Sequence, residues 1–474
     1  MRPAATLAAL LLSSTAGLAQ GTSPAPVPAP QPPAVAQQPS SLGERLGDAT
    51  RAIAGNPAAN ADRDMLRVLA ALNDLKPRPI EELSPEEARR QPSAADAVQE
   101  LLRRNNQPPA PSLGVAARDI TLPGPGGALM ARVYTPDGPV AGGGGVQRPV
   151  ILYFHGGGFV IADLNTYDAT PRALSHRTGA IAVAVRYRQA PENRFPAAHD
   201  DAFAAYRWVV ANAASLGGDP RRVAVVGESA GGNLAANVAI AARDAGVQAP
   251  VAQVLVYPMA GVDMNTESYR DNAGAKPLNR AMMGWFMGHY LRNDADKQDP
   301  RVDLVGRASF VNLPPATVVT AGIDPLRSDG LALAEKMQEA GVPVAARNYP
   351  GVTHEFFGMG PVVQAAADAE AYVAARLGMA FGTVSPDLPP AGPARRLGLA
   401  ARIEERMEVV GSDGGHVGTV DYIDGARLML TKSDPAADGK QHALGLETVA
   451  AVEGRRVQLS MPAEQARREW REVN

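Results

Sequence analysis

Val223-Ala224-Val225-Val226-Gly227-Glu228-Ser229-Ala230-Gly231-Gly232-Asn233-Leu234 is the stretch that decides how the rest of the chain is read. Val223 to Val226 are apolar and mostly β-branched, the pattern of a short buried strand. From Leu234 to Arg243 the chain is Ala-rich and predicts a helix. Between them stands Gly-x-Ser-x-Gly. A serine at the tip of a tight turn from strand to helix has its hydroxyl pushed clear of the sheet. Side chains at Gly227 and Gly231 would collide with the neighbouring strand and helix. The helix N-terminus then aims backbone N–H groups, and a positive partial charge, at any anion forming beside Ser229. The motif alone is weak, because Gly, Ser and Ala are common. Its weight comes from what the chain supplies elsewhere.

An activated serine needs a base, a group that orients the base, and donors for an oxyanion. Open α/β sheets gather such groups just past the C-terminal ends of their strands. A predicted strand Ala316–Thr320 runs into Ala321-Gly322-Ile323-Asp324-Pro325-Leu326, and Val344–Tyr349 runs into Pro350-Gly351-Val352-Thr353-His354-Glu355-Phe356. Asp324 is the first carboxylate past its strand and is preferred over Asp329 as the orienting acid. His354 is the preferred base. Upstream, Val150–Phe154 ends in His155-Gly156-Gly157-Gly158-Phe159. The N–H groups of Gly157 and Gly158, with that of Ala230, are the candidate oxyanion donors. His155 is read as a brace for the glycine loop. His176, His199 and His289 fall in helical stretches and are read as surface or packing residues, and Asp200 and Asp201 as structural. Trp285 and Phe286 lie in the pattern Met282, Met283, Trp285, Phe286, Met287 and are candidates to line an acyl or alcohol pocket, with core packing the preferred reading. Phe159 and Phe356 adjoin the glycine loop and the histidine and are further pocket candidates.

The chain has 474 residues, too many for one ordinary domain, with 45% hydrophobic and 20% charged residues. A net charge of -3 offers no basic field for nucleic acid. With no cysteine, disulfides, thiolate chemistry and Cys-based zinc sites are excluded, and no histidine spacing resembles a metal site. No metal and no cofactor are expected. Arg2, the apolar run Ala4–Leu12 and the small residues to Ala19 read as a signal peptide over 1–19, too short to span a bilayer, so export to the periplasm or medium is expected. No other stretch reads as transmembrane. Residues 20–43 are a Pro-rich linker. Helices are predicted over Ala61–Leu75 and Ala94–Arg104, with another starting at Ser84 as N-cap, Pro85 at N1 and Glu87 at N3. These form a small bundle or a cap over a following α/β core. From Ala117, strands near Leu129–Tyr134, Val150–Phe154, Ala180–Tyr187, Val223–Val226, Val251–Tyr257, Ala316–Thr320 and Val344–Tyr349 alternate with helices, which predicts a mostly parallel sheet covered on both faces. Residues 384–398 are a second linker. Residues 399–474 change character: short strands, turns at Asp413-Gly414, Asp424-Gly425 and Asp438-Gly439, and a helix Pro462–Trp470 predict a separate small β-barrel-like domain. Its His416 and His442 are read as solvated turn residues.

His155-Gly156-Gly157-Gly158, Gly227-Glu228-Ser229-Ala230-Gly231-Gly232, Asp324-Pro325-Leu326 and Gly351-Val352-Thr353-His354 together resemble the hormone-sensitive-lipase-like esterases (bacterial family IV) of the α/β-hydrolase superfamily. Tyr187-Arg188-Gln189-Ala190-Pro191-Glu192, followed by Phe195-Pro196-Ala197-Ala198, is similar to that family's strand-to-helix signature. The resemblance covers roughly residues 60–380. It implies an α/β-hydrolase domain over 44–383 with a helical cap at 44–105, a small-molecule ester substrate with a short to medium acyl chain, and no cofactor. Many members carry Asp or Thr where Glu228 stands. The chain reads as an exported serine esterase using Ser229, His354 and Asp324; the alternatives are an amidase or acyltransferase using the same three, and a non-catalytic ligand receptor, against which the presence of all three argues. The tail, through Met407–Gly414, Gly418-Thr419-Val420 and Leu430–Asp434, resembles small domains related to photosynthetic-reaction-centre-type barrels, which implies binding of an unknown partner or tethering. The oligomeric state is left open.

Overall fold

The computed structural model describes residues 61–107, 113–138, 147–383, 403, 406–424 and 427–472. The expected signal peptide, the linkers 20–43 and 384–398 and the first part of the cap lie outside the described residues.

Three helices come first: α1 (Arg63–Asp74), α2 (Pro85–Ala88) and α3 (Ala94–Arg104). The expected start at Ser84 is a capping box. Ser84 Oγ accepts the Glu87 N–H, and the Glu87 carboxylate accepts the Ser84 N–H at 3.0 Å. The helix it opens is a single turn. Ser93 and Asp96 repeat the device at α3.

The main sheet contains β1 (Val115–Gly124), β2 (Gly127–Pro136), β3 (Arg148–Phe154), β4 (Ile181–Arg186), β5 (Gly218–Glu228), β6 (Gln253–Val256), β7 (Ala316–Ile323) and β8 (Val344–Thr353). Its order is β1-β2-β4-β3-β5-β6-β7-β8. β1 and β2 form an antiparallel hairpin, β2 joins β4 antiparallel, and every pairing from β4 to β8 is parallel. The connections carry α4 (Ala169–Thr178), α5 (Ala197–Asn212), α6 (Ala230–Asp244), α7 (Arg280–Tyr290) and α8 (Arg327–Glu339), and α9 (Gln364–Ala380) follows β8. Alternation within the strands builds two cores. Val150, Leu152, Phe154, Val223 and Val225 join one, while Ile151, Tyr153, Ala224 and Val226 join the other. Burying each valine contributes roughly 1.5–3 kcal/mol. This is the parallel sheet covered on both faces that the apolar runs predict.

β1 has no counterpart among the predicted strands. Its Ala116 to Asp119 are exposed, it stands at the sheet edge, and Pro123 and Gly124 close it, so it lacks the apolar run that marks the buried strands.

The tail forms a second sheet of β9 (Glu408–Val410), β10 (His416–Asp424), β11 (Arg427–Leu430), β12 (His442–Gly445), β13 (Val449–Glu453), β14 (Arg456–Leu459) and, after α10 (Ala463–Glu469), β15 (Arg471–Glu472). The order is β13-β14-β9-β10-β11-β12-β15, around a core that includes Val409, Val417, Leu428, Val457 and Leu459. The sequence predicts strands at Met407–Val410, Gly418–Ile423, Ala426–Thr431, Thr448–Val452 and Arg456–Ser460, so β12 and β15 go beyond it. The two tail histidines are corrected. His416 opens β10 with its ring 3.1 Å from both Asp434 oxygens and 3.3 Å from Glu408. His442 is buried on β12, stacked on Trp470 with centroids 4.3 Å apart. Neither is a solvated turn residue.

Candidate active site

β5 delivers the chain to a sharp turn at Ser229, whose φ of 57° and ψ of −117° few non-glycine residues adopt. The flanking glycines are required by contact distance. A Cβ on Gly227 would sit 2.0 Å from Gly231 O, and one on Gly231 would sit 2.0 Å from Phe154 O on the neighbouring strand. Ser229 N–H donates to Val256 O at 2.9 Å, and its carbonyl accepts from Asn233 and Met259, so the turn is tied to β6 and to α6.

The loops after β7 and β8 bring Asp324 and His354 to this serine. His354 Nδ1 lies 2.7 Å from Asp324 Oδ2, and Nε2 lies 3.0 Å from Ser229 Oγ. A carboxylate only accepts, so Nδ1 carries the proton and Nε2 is left to accept from the serine hydroxyl. The second Asp324 oxygen accepts the Leu326 N–H at 2.8 Å, which fixes the carboxylate plane. All three side chains are buried. Burial alone would lower the imidazole pKa. The charge and hydrogen bond of Asp324, with Glu355 and Glu228 adding to them, hold it above its ordinary value. Asp329 is elsewhere: it accepts the N–H groups of Ala260 and Gly261, and burial pushes its carboxyl up to about 7. The choice of Asp324 over Asp329 agrees with this geometry.

The loop after β3 turns through Gly157 (φ 96°) and Gly158 (φ 59°), two conformations that favour glycine. Among the described residues, neither of their N–H groups is taken by a protein acceptor. Both glycines, Ala230, Ser229 and His354 line one cavity of about 390 Å³. His155 sits behind the loop, its Nδ1 donating to Gly156 O at 2.7 Å and its ring stacked on Tyr187 with centroids 4.4 Å apart. Burial pushes its pKa down to about 4, so it stands neutral, as a brace does. His199 is likewise a packing residue, buried against Asn233 at 2.9 Å. Asp201 forks onto Arg188 and is structural.

The four pocket candidates divide. Phe159 and Phe286 line the cavity, and a Cβ on Gly158 would meet the Phe286 ring at 2.3 Å. Trp285 and Phe356 are corrected. Successive residues on a helix point about 100° apart, so with Phe286 facing the glycine loop, Trp285 turns to the cap and donates Nε1–H to Leu83 O at 3.0 Å. Phe356 is fully buried in the core with Tyr257 and Tyr349. Met282, Met283 and Met287, which sequence marked only as a pattern, line the cavity, as do Leu72, Ile80 and Arg89 of the N-terminal helical segment. Arg89 holds that segment down: it donates to Val160 O and Ala190 O at 2.8 Å each and forks onto Glu192 at 2.7 Å. Nothing in its sequence neighbourhood signals this, because its partners lie 71 to 103 residues away. Among the described residues, no group of three or more acidic or histidine side chains is placed to hold a metal ion.

A buried serine, a histidine poised to accept its proton, a carboxylate on the far imidazole nitrogen and open N–H groups nearby form an arrangement suited to acyl transfer. Comparison with known proteins agrees. The alpha/beta hydrolase fold family matches residues 151–358, and a family of uncharacterized proteins conserved in bacteria matches residues 403–467. Esterase LipI of Mycobacterium tuberculosis is 41% identical over 277 residues, covering 58% of this chain and 85% of that protein. Ethyl acetate hydrolase of Pseudomonas putida is 36% identical over 294 residues, covering 61% and 88%. Among solved structures, a hyperthermophilic esterase from the archaeon Pyrobaculum calidifontis aligns with a TM-score of 0.57 at 37% identity, covering 63% of this chain and 95% of that one. With that identity spread over most of the relatives' length and the motif residues gathered at one cavity, the chain belongs to the hormone-sensitive-lipase-like esterases of the α/β-hydrolase superfamily.

Proposed function

We propose that this esterase is an exported enzyme that hydrolyses carboxylic esters of short to medium acyl chain through an acyl-enzyme on Ser229. Ser229 Oγ attacks the ester carbonyl as His354 Nε2 takes its proton. Asp324 keeps the imidazole in the required tautomer and compensates its positive charge. The N–H groups of Gly157, Gly158 and Ala230 receive the tetrahedral oxyanion, and the N-terminus of α6 adds its partial positive charge. His354 then returns the proton to the leaving alcohol. Water, deprotonated by the same imidazole, attacks the acyl-enzyme and regenerates the serine. The observation that carries this reading is the continuous hydrogen-bonded line from Ser229 Oγ through His354 to Asp324.

The helical segment over the cavity limits acyl length in this reading, since its Leu72, Ile80 and Arg89 share the cavity wall with Ser229. The tail acts outside the chemistry, as a binding or tethering unit. A panel of aryl esters of graded acyl length, assayed on the mature chain with Ser229→Ala as control, tests the assignment. Turnover that peaks at short to medium chains and vanishes in the control supports it. A preference for long-chain esters, or for amides over esters of the same acid, overturns it.

A further inference from the structure

Ser229 faces the cavity, whereas Glu228, one residue earlier at the end of β5, turns back into the protein and is fully buried. Its partners are hydroxyls. Tyr153 of β3 donates to Oε1 at 2.5 Å, and Tyr257 just past β6 donates to Oε2. Burying an acid is costly, and the amide of a glutamine would fill the same volume without the charge. Burial pushes this carboxyl up to about 7, and the hydroxyls of Tyr153 and Tyr257, with that of Thr170 at the start of α4, pull against that rise.

Tyr257 connects this acid to the base. Its ring centroid lies 4.5 Å from that of His354, tilted by 50°. Its φ of 34° is strained for a residue with a side chain, and its N–H is held by Val319 O at 2.6 Å. A phenol that donates to a carboxylate carries extra negative charge in its ring, and a cation beside an aromatic face is favoured by it. His354 is neutral before reaction and cationic while it holds the serine proton. A negative neighbour therefore stabilises the transition state more than the ground state, which is the condition for raising kcat.

We propose that Glu228, acting through Tyr257, is a positioning residue for His354: it fixes the tyrosine ring beside the imidazole and supplies negative charge that favours the imidazolium formed during reaction. The proposal rests on His354 being the base. The other charged groups that act on the imidazole are Asp324 beyond β7 and Glu355 next in the chain, whose Oε1 accepts the Tyr167 hydroxyl at 3.1 Å. Asp324 and Glu355 act in the same direction, so the loss of Glu228 reduces the effect without abolishing it.

The test compares Glu228→Gln, Glu228→Asp and Tyr257→Phe in the full chain. Assayed above pH ~7, where Glu228 is ionised, Glu228→Gln loses about tenfold in kcat, equivalent to ~1.4 kcal/mol of barrier, with KM within about twofold. The acid limb of its pH profile moves to lower pH, because His354 loses a charge that raises its pKa. Glu228→Asp restores part of kcat and of the limb, and Tyr257→Phe reproduces part of the loss. An NMR titration of the His354 imidazole in the free protein gives a readout independent of turnover, with a lower midpoint in Glu228→Gln and Tyr257→Phe than in wild type. A folded Glu228→Gln variant with unchanged kcat, pH limb and titration makes Glu228 a packing residue and overturns the proposal. If Glu228→Gln does not fold, Tyr257→Phe carries the same comparison, and an unchanged His354 midpoint there overturns it. If the wild type hydrolyses no ester, the esterase mechanism fails separately, while the titration still decides whether the acid and the imidazole are coupled.

Discussion

In the main sheet, the ends of β3, β5, β7 and β8 release the chain into loops whose polar atoms converge on one cavity, from Gly157 and Ser229 to Asp324 and His354. In the tail sheet, the polar side chains close locally instead. Asp413 takes the N–H groups of Gly415 and Ala463, and Asp434 takes the Thr419 hydroxyl, the His416 ring and the Ala436 N–H. Backbone strain follows the same division. Ser229, Phe159, Ala162 and Glu355 all have positive φ and all line the cavity. In the tail, Arg406 (φ 66°) and Asp438 (φ 49°, beside Gly439) have positive φ, each in a turn. Strain is retained where it aims a reactive group and is otherwise left to turns.

The contrast breaks if damage to the main-sheet loops is mild or damage to the tail is severe. The largest effect is expected for Ser229→Ala, a loss of about 10⁶-fold in kcat on a short-chain aryl ester. Next is Asp324→Asn, which removes the partner of Nδ1–H and costs up to about 10⁴-fold in kcat. Asp329→Asn sharpens this: Asp329 only accepts the N–H groups of Ala260 and Gly261, and an asparagine Oδ1 can accept them too. It should cost less than about tenfold, and a reversal of the two effects would make Asp329 the acid.

The pH profile comes third. His354 is active as the neutral base and its pKa is raised, so activity falls as pH drops through a midpoint above the ordinary value of about 6.5. A rate that stays flat down to pH ~4 would count against a histidine base. Fourth, Arg89→Ala removes the fork onto Glu192 and the bonds to Val160 O and Ala190 O, freeing the segment that walls the cavity. A several-fold rise in KM for medium-chain esters, larger than for acetates, is expected, and equal effects on both would remove the cap from acyl selection. The smallest effect belongs to the tail. A chain stopped near Asp387 should keep kcat for small soluble esters within about threefold, roughly 0.6 kcal/mol of barrier. Loss of activity in a truncated chain that still folds would bring the tail into the chemistry.

Much of this was legible in the sequence because parallel strands are short apolar runs and their loops carry distinctive residues. Val223–Val226 with Gly227-x-Ser229-x-Gly231, His155-Gly156-Gly157-Gly158, Asp324 and His354 all announce themselves locally. What failed was whatever depends on direction or distance. Trp285 and Phe286 are neighbours in sequence, but only Phe286 faces the cavity. Phe356 follows the histidine by two residues, yet the chain has already turned into the core. β1 was missed because an exposed edge strand lacks the apolar run. Arg89 carried no signal and Glu228 stood out only as a departure from the family motif, since the partners that give each its role are far away in sequence.

The claim that the chemistry is concentrated at the end of β5 is tested most directly by treating the full chain with an aryl organophosphonate and locating the adduct by mass spectrometry. The account predicts a single adduct on Ser229, loss of ester hydrolysis in step with labelling, and no adduct in Ser229→Ala. Labelling of a different residue together with loss of activity, or full hydrolysis after complete labelling of Ser229, would contradict it.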